Sequence, residues 1–224
     1  MLSRSDLSAY THSRDLSAIN KLLDTRYIPR DFGFQDRKYS HITNNRGTAL
    51  YDTSEAKRNR EQLDFVRATG IRRQSIATIT PEQVIRNASG QVIGFNVIEK
   101  GGRERNCVVL EQERQRITEL VNQKSTEQGA NAPMFRAVDS NANPHYARRE
   151  YAQALYTDLK LAHEQGYDYY DGLRSRFINE QALDKAVSRY NNEIVRGYDR
   201  DVMGEVSQNM GHNRIDVILY HYLK

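Results

Sequence analysis

The sequence has little that would tie it to a membrane, a metal ion or an oxidising compartment. No run of apolar residues approaches the roughly 20 needed to cross a bilayer, and residues 1–6 lack the apolar core of a signal peptide. A single cysteine, Cys107, cannot form an internal disulfide, which fits a reducing cytoplasm. Zinc-ligand spacings, a tight acidic cluster and a glycine-rich phosphate loop are also missing. These absences disfavour secreted, membrane-spanning, zinc-dependent and nucleotide-binding proteins.

What the sequence does have is positive charge carried largely by arginine. The net charge of the 224 residues is +4 and the pI is about 9.1. A basic balance attracts phosphate backbones. Arginines occur in pairs such as Arg72-Arg73 and Arg148-Arg149, and arginine binds phosphate oxygens in a bidentate manner that lysine cannot match. Composition therefore favours nucleic acid over other acidic partners.

Hydrophobic periodicity predicts a mainly α protein with one small three-stranded antiparallel sheet, the α+β class. Residues 1–50 are predicted to be an N-terminal arm or linker with one helix, and residues 51–224 a single domain. The predicted helices span 15–23, 53–68, 72–79, 111–128, 144–164, 179–195, 199–210 and 213–222. The predicted strands span 83–86, 91–99 and 105–110, joined by turns at 87–90 and 100–103.

Two short motifs precede the middle of the chain. Thr69-Gly70 followed by Arg72 puts a guanidinium group at a helix N-terminus, where backbone N–H groups also favour an anion. Lys100, at the tip of a hairpin, could reach a bound DNA and donate a proton to a leaving alkoxide. Taken alone, the first motif also fits a helix boundary with a surface arginine, and the second an ordinary solvated turn.

Two further motifs lie in the helical C-terminal half. His145 and Arg148 are spaced i, i+3, so they share a helix face and could both bind the non-bridging oxygens of a phosphate. Gly211-His212 ends a helix, and Tyr222 follows one short helix later as a possible nucleophile. Taken alone, these motifs also fit an exposed polar helix face and an amphipathic C-terminal helix with tyrosines at its rim.

The order of these motifs resembles the signature of the tyrosine recombinases, the phage-integrase family. From about residue 50 onward the chain has Thr-Gly-x-Arg, a lysine at a β-turn, His-x-x-Arg, Gly-His and a final tyrosine. The ending His221-Tyr222-Leu223 most resembles integrases of phages or integrative conjugative elements. The resemblance implies that residues 51–224 have the catalytic-domain fold of this family. It also implies site-specific cleavage and rejoining of DNA during integration or excision of a mobile element.

The resemblance also implies a role for each matched residue. Tyr222 would attack the scissile phosphate and form a 3′-phosphotyrosyl link. Arg72 and Arg148 would hold the non-bridging oxygens. His145 and His212 would hydrogen-bond the phosphate or assist proton transfer.

Lys100 would be the general acid that protonates the leaving 5′-oxygen. Such a site needs no metal and no other cofactor, and its substrate is double-stranded DNA rather than a small molecule. Family behaviour further implies a homotetramer on DNA, away from membranes, in the bacterial cytoplasm and associated with the nucleoid.

Several features depart from the family pattern. Ser75 stands where the first motif often has a glutamate, and the stretch between Arg148 and His212 is longer than in compact members. Tyr220 competes with Tyr222 as nucleophile, but the two positions point about 200° apart on a helix, so one of them faces the phosphate. Family members usually carry an N-terminal core-binding domain, for which residues 1–50 are too few. We therefore expect either a truncated catalytic domain or a minimal member.

Other interpretations of the sequence remain open at this point. The same chemistry would serve a type IB topoisomerase-like enzyme that nicks and closes DNA. A catalytically silent, DNA-binding integrase fragment would need the basic surface but not the nucleophile. A basic helical interaction module with chance motif matches is the third alternative.

Overall fold

A computed structural model describes residues 7–36, 53–99, 102–139, 142–212 and 214–223. The chain divides into two compact units, Met1–Asn45 and Arg46–Lys224. The predicted boundary at residue 50 lies outside the described residues. Every site residue predicted from the sequence lies in the second unit.

The structure is mainly helical, at 57% of residues, with a small three-stranded antiparallel sheet, as the periodicity predicted. The helices are α1 (Ala9–Leu23), α2 (Ser54–Arg58), α3 (Arg60–Thr69), α4 (Arg73–Ile76), α5 (Arg114–Gln128), α6 (Pro144–Gln165), α7 (Arg174–Phe177), α8 (Glu180–Val187), α9 (Arg200–Asn209) and α10 (Ile215–His221). The strands are β1 (Val84–Arg86), β2 (Val92–Glu99), β3 (Arg103–Val108), β4 (Ile194–Val195) and β5 (Tyr198–Asp199). No described helix has both the length and the apolar character that crossing a membrane requires.

The first unit is built on α1. The Ser8 side chain accepts a hydrogen bond from the Thr11 amide and so caps the helix N-terminus. His12 stacks on Phe34 with ring centroids 4.0 Å apart. The predicted helix began at residue 15, six residues too late, because the first turns of α1 carry few apolar side chains for a periodicity to detect.

The three-stranded sheet has the order β1-β2-β3, and both pairs are antiparallel. Phe95 lies opposite Cys107, and Val97 opposite Arg105. Side chains alternate between the two faces of a strand, so Phe95, Val97 and Glu99 share one face of β2, and all three are buried. The inward face of the hairpin therefore ends in a buried carboxylate.

The long helix α6 packs against both α3 and α9. Tyr151 of α6 is fully buried, and its hydroxyl donates to the Val108 carbonyl at 2.8 Å. Its ring lies against Gly70, which ends α3 with a left-handed φ of 62°. The predicted helix stop at Thr69-Gly70 is thus confirmed, and α6 links the end of α3 to the sheet.

The predicted helix over 179–195 is wrong in its second half. α8 ends at Val187, and the last two residues of the predicted helix form β4, which pairs with β5 in a two-stranded ribbon. Arg196 and Gly197 join these strands, with φ values of 53° and 85°. Two consecutive positive φ angles are typical of the tight hairpin turn whose twist matches that of its strands. The Arg-Gly pair, which lies between the predicted helices over 179–195 and 199–210, therefore forms a hairpin turn.

The predicted helix over 53–68 is broken at Asn59. Its backbone is not helical, at φ −109° and ψ 22°, and its side chain is completely buried. The Asn59 amide donates to the Glu55 carbonyl at 2.7 Å and to Asp139 Oδ2 at 2.8 Å. Asparagine side chains compete with helical backbone hydrogen bonds in this way, which accounts for the break.

Two other predicted helices are too long. The helix predicted over 72–79 is confined to α4, which ends at Ile76. The C-terminal helix α10 ends at His221, so Tyr222 caps the helix rather than continuing it.

Candidate active site

Arg72 is placed by the sharp turn that follows α3. After Gly70, Ile71 is fully buried, and Arg72 caps α4 in an extended conformation. Its Nη1 donates to Glu99 Oε2, and its Nη2 donates to the Gly211 carbonyl at 3.1 Å. A guanidinium group predicted from the Thr-Gly-x-Arg motif is therefore held between the sheet and the end of α9.

Arg148 lies in the first turns of α6 and is 5% exposed. Its Nη1 donates to the Gly70 carbonyl at 2.6 Å, and its Nη2 donates to the Met210 carbonyl at 2.5 Å. These two bonds tie the end of α3 to the end of α9. Burial lowers the pKa of Arg148, and the adjoining Tyr222 side chain, which hydrogen-bonds to it, opposes this shift.

Three arginines converge on the C-terminal end of α9. Arg105 donates to the Asn209 carbonyl, Arg148 to that of Met210, and Arg72 to that of Gly211. The last carbonyls of a helix have no intrahelical partner and carry partial negative charge. Guanidinium groups from β3, α6 and the α3–α4 turn therefore gather around one turn of backbone.

Tyr222 is placed within this cluster. It is 4% exposed, and its hydroxyl lies 3.4 Å from His212 Nε2. Its ring stacks on His145, with centroids 5.5 Å apart and planes 11° apart. Its backbone carbonyl accepts a hydrogen bond from Gln153 Nε2 at 3.0 Å, which fixes the end of the chain on α6.

Tyr220 lies in different surroundings. The guanidinium group of Arg196, in the turn between β4 and β5, lies over the Tyr220 ring at 4.9 Å from its centroid. Tyr222 and not Tyr220 adjoins the two predicted histidines and Arg148. The packing therefore places Tyr222, rather than Tyr220, beside the other predicted site residues, and its role as nucleophile stays a prediction.

The cluster has a positive electrostatic balance. Arg72, Arg105 and Arg148 carry three positive charges, and Glu99 carries one negative charge, so these four side chains sum to +2. The pKa of His212 is lowered to about 3, first by burial and then by the charges of the arginines. His212 is therefore neutral at physiological pH, and the cluster is suited to an anion.

An open cavity of about 500 Å³ adjoins the cluster. Its walls are Arg72, Arg73, Asn143, Pro144, His145, Arg148 and Tyr222. This volume lies in the range of ligand sites, and three of the lining residues are arginines. The arginines in its wall suit the cavity to an anionic group.

The described structure brings together five of the six residues predicted from sequence, namely Arg72, His145, Arg148, His212 and Tyr222. The sixth, Lys100, lies outside the described residues.

Glu99 and Arg105 are two site residues that the sequence analysis did not single out. The signal for them is strand alternation, because Glu99 falls on the same face as the apolar Phe95 and Val97. A carboxylate facing inward needs a buried cation. Arg105, diagonally opposite on β3, provides it, with its Nη2 donating to Glu99 Oε1 at 2.6 Å.

Comparisons with other proteins add nothing to this picture. No protein-family model, no curated protein and no solved structure matches the chain. Among the described residues, no group of three or more His, Cys, Asp or Glu side chains is arranged to hold a metal ion.

Proposed function

We propose that this chain is a tyrosine recombinase that cleaves and rejoins double-stranded DNA through a 3′-phosphotyrosyl intermediate. The observation that carries the proposal is the surroundings of Tyr222. Its hydroxyl adjoins His212 and Arg148, and its side chain forms part of the wall of a cavity that Arg72 also lines. A tyrosine among arginines and histidines, of which His212 is neutral, has the parts that attack on a phosphodiester requires.

In the proposed reaction the Tyr222 oxygen attacks the phosphorus of the scissile phosphate. A tyrosyl O–P bond forms, the bond from phosphorus to the 5′-oxygen breaks, and the free strand leaves with a 5′-hydroxyl. Arg72 and Arg148 stabilise the charge on the non-bridging oxygens as it grows in the transition state. The new ester keeps the phosphodiester energy, so the reverse attack by a 5′-hydroxyl rejoins DNA.

Proton transfer in this reaction depends on His212. A free phenol has a pKa of about 10, so the tyrosine must lose its proton as it attacks. His212 Nε2 lies 3.4 Å from the phenol oxygen and is neutral, since its pKa is about 3. Its free ring nitrogen can accept a hydrogen bond from the phenol, and a bound phosphate, by offsetting the arginine charges that lower the His212 pKa, would raise its basicity so that it takes this proton. Lys100 is proposed, from the resemblance alone, to protonate the 5′-oxygen.

Covalent trapping tests the proposal. The protein is incubated with a pool of nicked duplexes of randomised sequence, in which cleavage releases a short fragment and prevents rejoining. Denaturing gels separate any protein–DNA adduct, and sequencing of the trapped DNA identifies the preferred site. We expect wild type and Tyr220→Phe to form the adduct and Tyr222→Phe to form none.

Tyr220→Phe is the matched control, since it removes the same hydroxyl from the same segment. Loss of the adduct in Tyr220→Phe alone would move the nucleophile by two residues. An absence of adduct from wild type that still binds DNA would refute cleavage and leave a DNA-binding protein.

The proposal extends to assembly as a tetramer on two DNA sites, on the strength of the family resemblance. Substrates with one or two copies of the trapped sequence distinguish this activity from a nicking-closing enzyme. Paired exchange between two copies is expected of a recombinase, and supercoil relaxation with a single copy is expected of a topoisomerase-like enzyme.

A further inference from the structure

A buried carboxylate shared by two guanidinium groups lies beside the proposed active site. The Glu99 side chain is 2% exposed, and each of its oxygens is bonded to a different arginine. Oε2 accepts from Arg72 and Oε1 accepts from Arg105 at 2.6 Å. The Arg105 side chain is 7% exposed, and the Arg72 side chain is 33% exposed. The chain of contacts therefore runs from the interior of the hairpin outward to the cavity.

Glu99, Arg72 and Arg105 form a triad, and its charges explain why two arginines are present. A lone carboxylate on Arg72 would orient its guanidinium group but would also cancel its positive charge, which an anionic substrate needs. With Arg105 on the second oxygen, the triad keeps a net charge of +1, from two positive groups and one negative group. Arg72 is then held in place and remains electropositive.

We propose that Glu99 and Arg105 are positioning residues, which hold the Arg72 guanidinium group toward the cavity without neutralising it. This inference rests on the proposed function, in which Arg72 binds the scissile phosphate. Neither residue touches the substrate: both act through Arg72, and Arg105 acts through Glu99.

The turn before His212 is fitted to the same triad. A Cβ atom at Gly211 would lie 2.9 Å from Glu99 Oε2 and 3.0 Å from Arg105 Nε. The Gly211 backbone also has a φ of 69°, and its carbonyl accepts from Arg72. A residue with a side chain would displace the triad, so glycine at this position lets the turn and the triad pack together.

A double-mutant cycle separates positioning from general stabilisation. Single-turnover cleavage of the trapping duplex is measured at saturating protein for Glu99→Gln, for Arg72→Ala and for the double variant. We expect Glu99→Gln to slow cleavage about 10- to 100-fold in the wild-type background. In the Arg72→Ala background, Glu99→Gln should not slow cleavage further, because the effect of Glu99 on the rate passes through Arg72. An equal loss in both backgrounds would overturn the proposal.

Three further variants complete the test. Glu104→Gln removes an exposed carboxylate from the same hairpin and should cleave at nearly the wild-type rate. Arg105→Lys keeps the positive charge beside Glu99, so its cleavage rate should be within a few-fold of the wild-type rate. Arg105→Gln removes that charge and should slow cleavage as much as Glu99→Gln does. Equal losses from Arg105→Lys and Arg105→Gln would show that charge at this position is not what matters.

A measurement on the free protein decides the geometry without any DNA. In protein labelled with ¹⁵N-arginine, the guanidinium signals of Arg72 are assigned by their loss in Arg72→Lys. Bonding to Glu99 should slow rotation of the Arg72 guanidinium group, and this slowing should disappear in Glu99→Gln and persist in Glu104→Gln. Unchanged Arg72 signals in a folded Glu99→Gln protein would refute positioning. If wild type forms no adduct, the proposed function fails, and these spectra still decide whether the triad holds Arg72.

Discussion

The residue whose chemistry depends most on its surroundings is His212. Burial and three nearby guanidinium groups lower its pKa to about 3, far below the ordinary 6.5. A neutral imidazole next to the Tyr222 hydroxyl can accept a proton, and a charged one cannot. The arginines that attract a phosphate therefore also keep His212 in the form that the proposed attack requires.

This depressed pKa has a consequence for stability. Between pH 6.5 and about 3 the unfolded chain protonates His212 and the folded chain does not, so the free energy of unfolding falls as the pH drops through this window. The full effect is about 5 kcal/mol at most. We expect His212→Gln to lose less stability than wild type between pH 7 and pH 3.5, as measured by urea unfolding. The control His221→Gln changes an exposed histidine and should follow wild type; parallel curves for all three proteins would contradict the prediction.

At the same scale, the sequence predicted the chemical groups of the site but not how their charges are balanced. Arg148 was predicted as a phosphate ligand from its spacing to His145, which stays a prediction; its burial and its bonds to two backbone carbonyls were not predicted. Glu99 and Arg105 were not predicted. Their pairing is diagonal across a hairpin, and it becomes visible only when the strand register is known.

At the scale of elements, the site depends on where helices stop. α3 ends at Gly70, whose left-handed backbone turns the chain so that Ile71 enters the core and Arg72 faces the cavity. This stop was predictable, because glycine after a helical pattern is a strong signal. The break at Asn59 was not, since it depends on Asp139, a partner 80 residues away.

Gly70 and Gly166 provide a matched test of this element. Both end a helix with a left-handed backbone, at φ values of 62° and 70°. A Cβ at Gly70 would lie 2.3 Å from ring carbons of Tyr151, whereas one at Gly166 would meet nothing within 4 Å. We expect Gly166→Ala to lower the free energy of unfolding by about 1 kcal/mol, the cost of the backbone conformation. Gly70→Ala should lower it by about 2–4 kcal/mol, because the ring must also move.

Urea unfolding of the two variants measures the difference directly. Gly70→Ala should in addition reduce cleavage, since Arg148 donates to the Gly70 carbonyl, and Gly166→Ala should leave cleavage unchanged. Equal losses of stability in the two variants would show that the Tyr151 contact does not fix the end of α3.

At the scale of the whole molecule, the net charge is a modest +4, although arginines are concentrated at one cavity. The composition predicted a phosphate-bearing partner only weakly. The fold adds the stronger argument by placing Arg72, Arg73 and Arg148 around one cavity. The sequence could not show this gathering, because the segments that meet at the cavity are about 70 residues apart along the chain.

This concentration predicts how DNA binding should respond to salt. Each arginine that neutralises a phosphate releases a condensed counterion, which contributes about 0.9 to the slope of log affinity against log salt. Arg73 is exposed and lines the cavity, so Arg73→Gln should reduce the slope by about 1, by weakening binding at low salt more than at high salt. Lys160→Gln is the control: Lys160 is exposed on the same helix as His145 but about 22 Å further along it.

Fluorescence anisotropy with one labelled duplex, titrated at four or more salt concentrations, gives the slopes for the three proteins. If Arg73→Gln and Lys160→Gln reduced the slope equally, DNA would be bound by diffuse surface charge rather than at the cavity. A change confined to Arg73→Gln would place a phosphate of the bound duplex within reach of Arg72 and Tyr222, where the proposed attack begins.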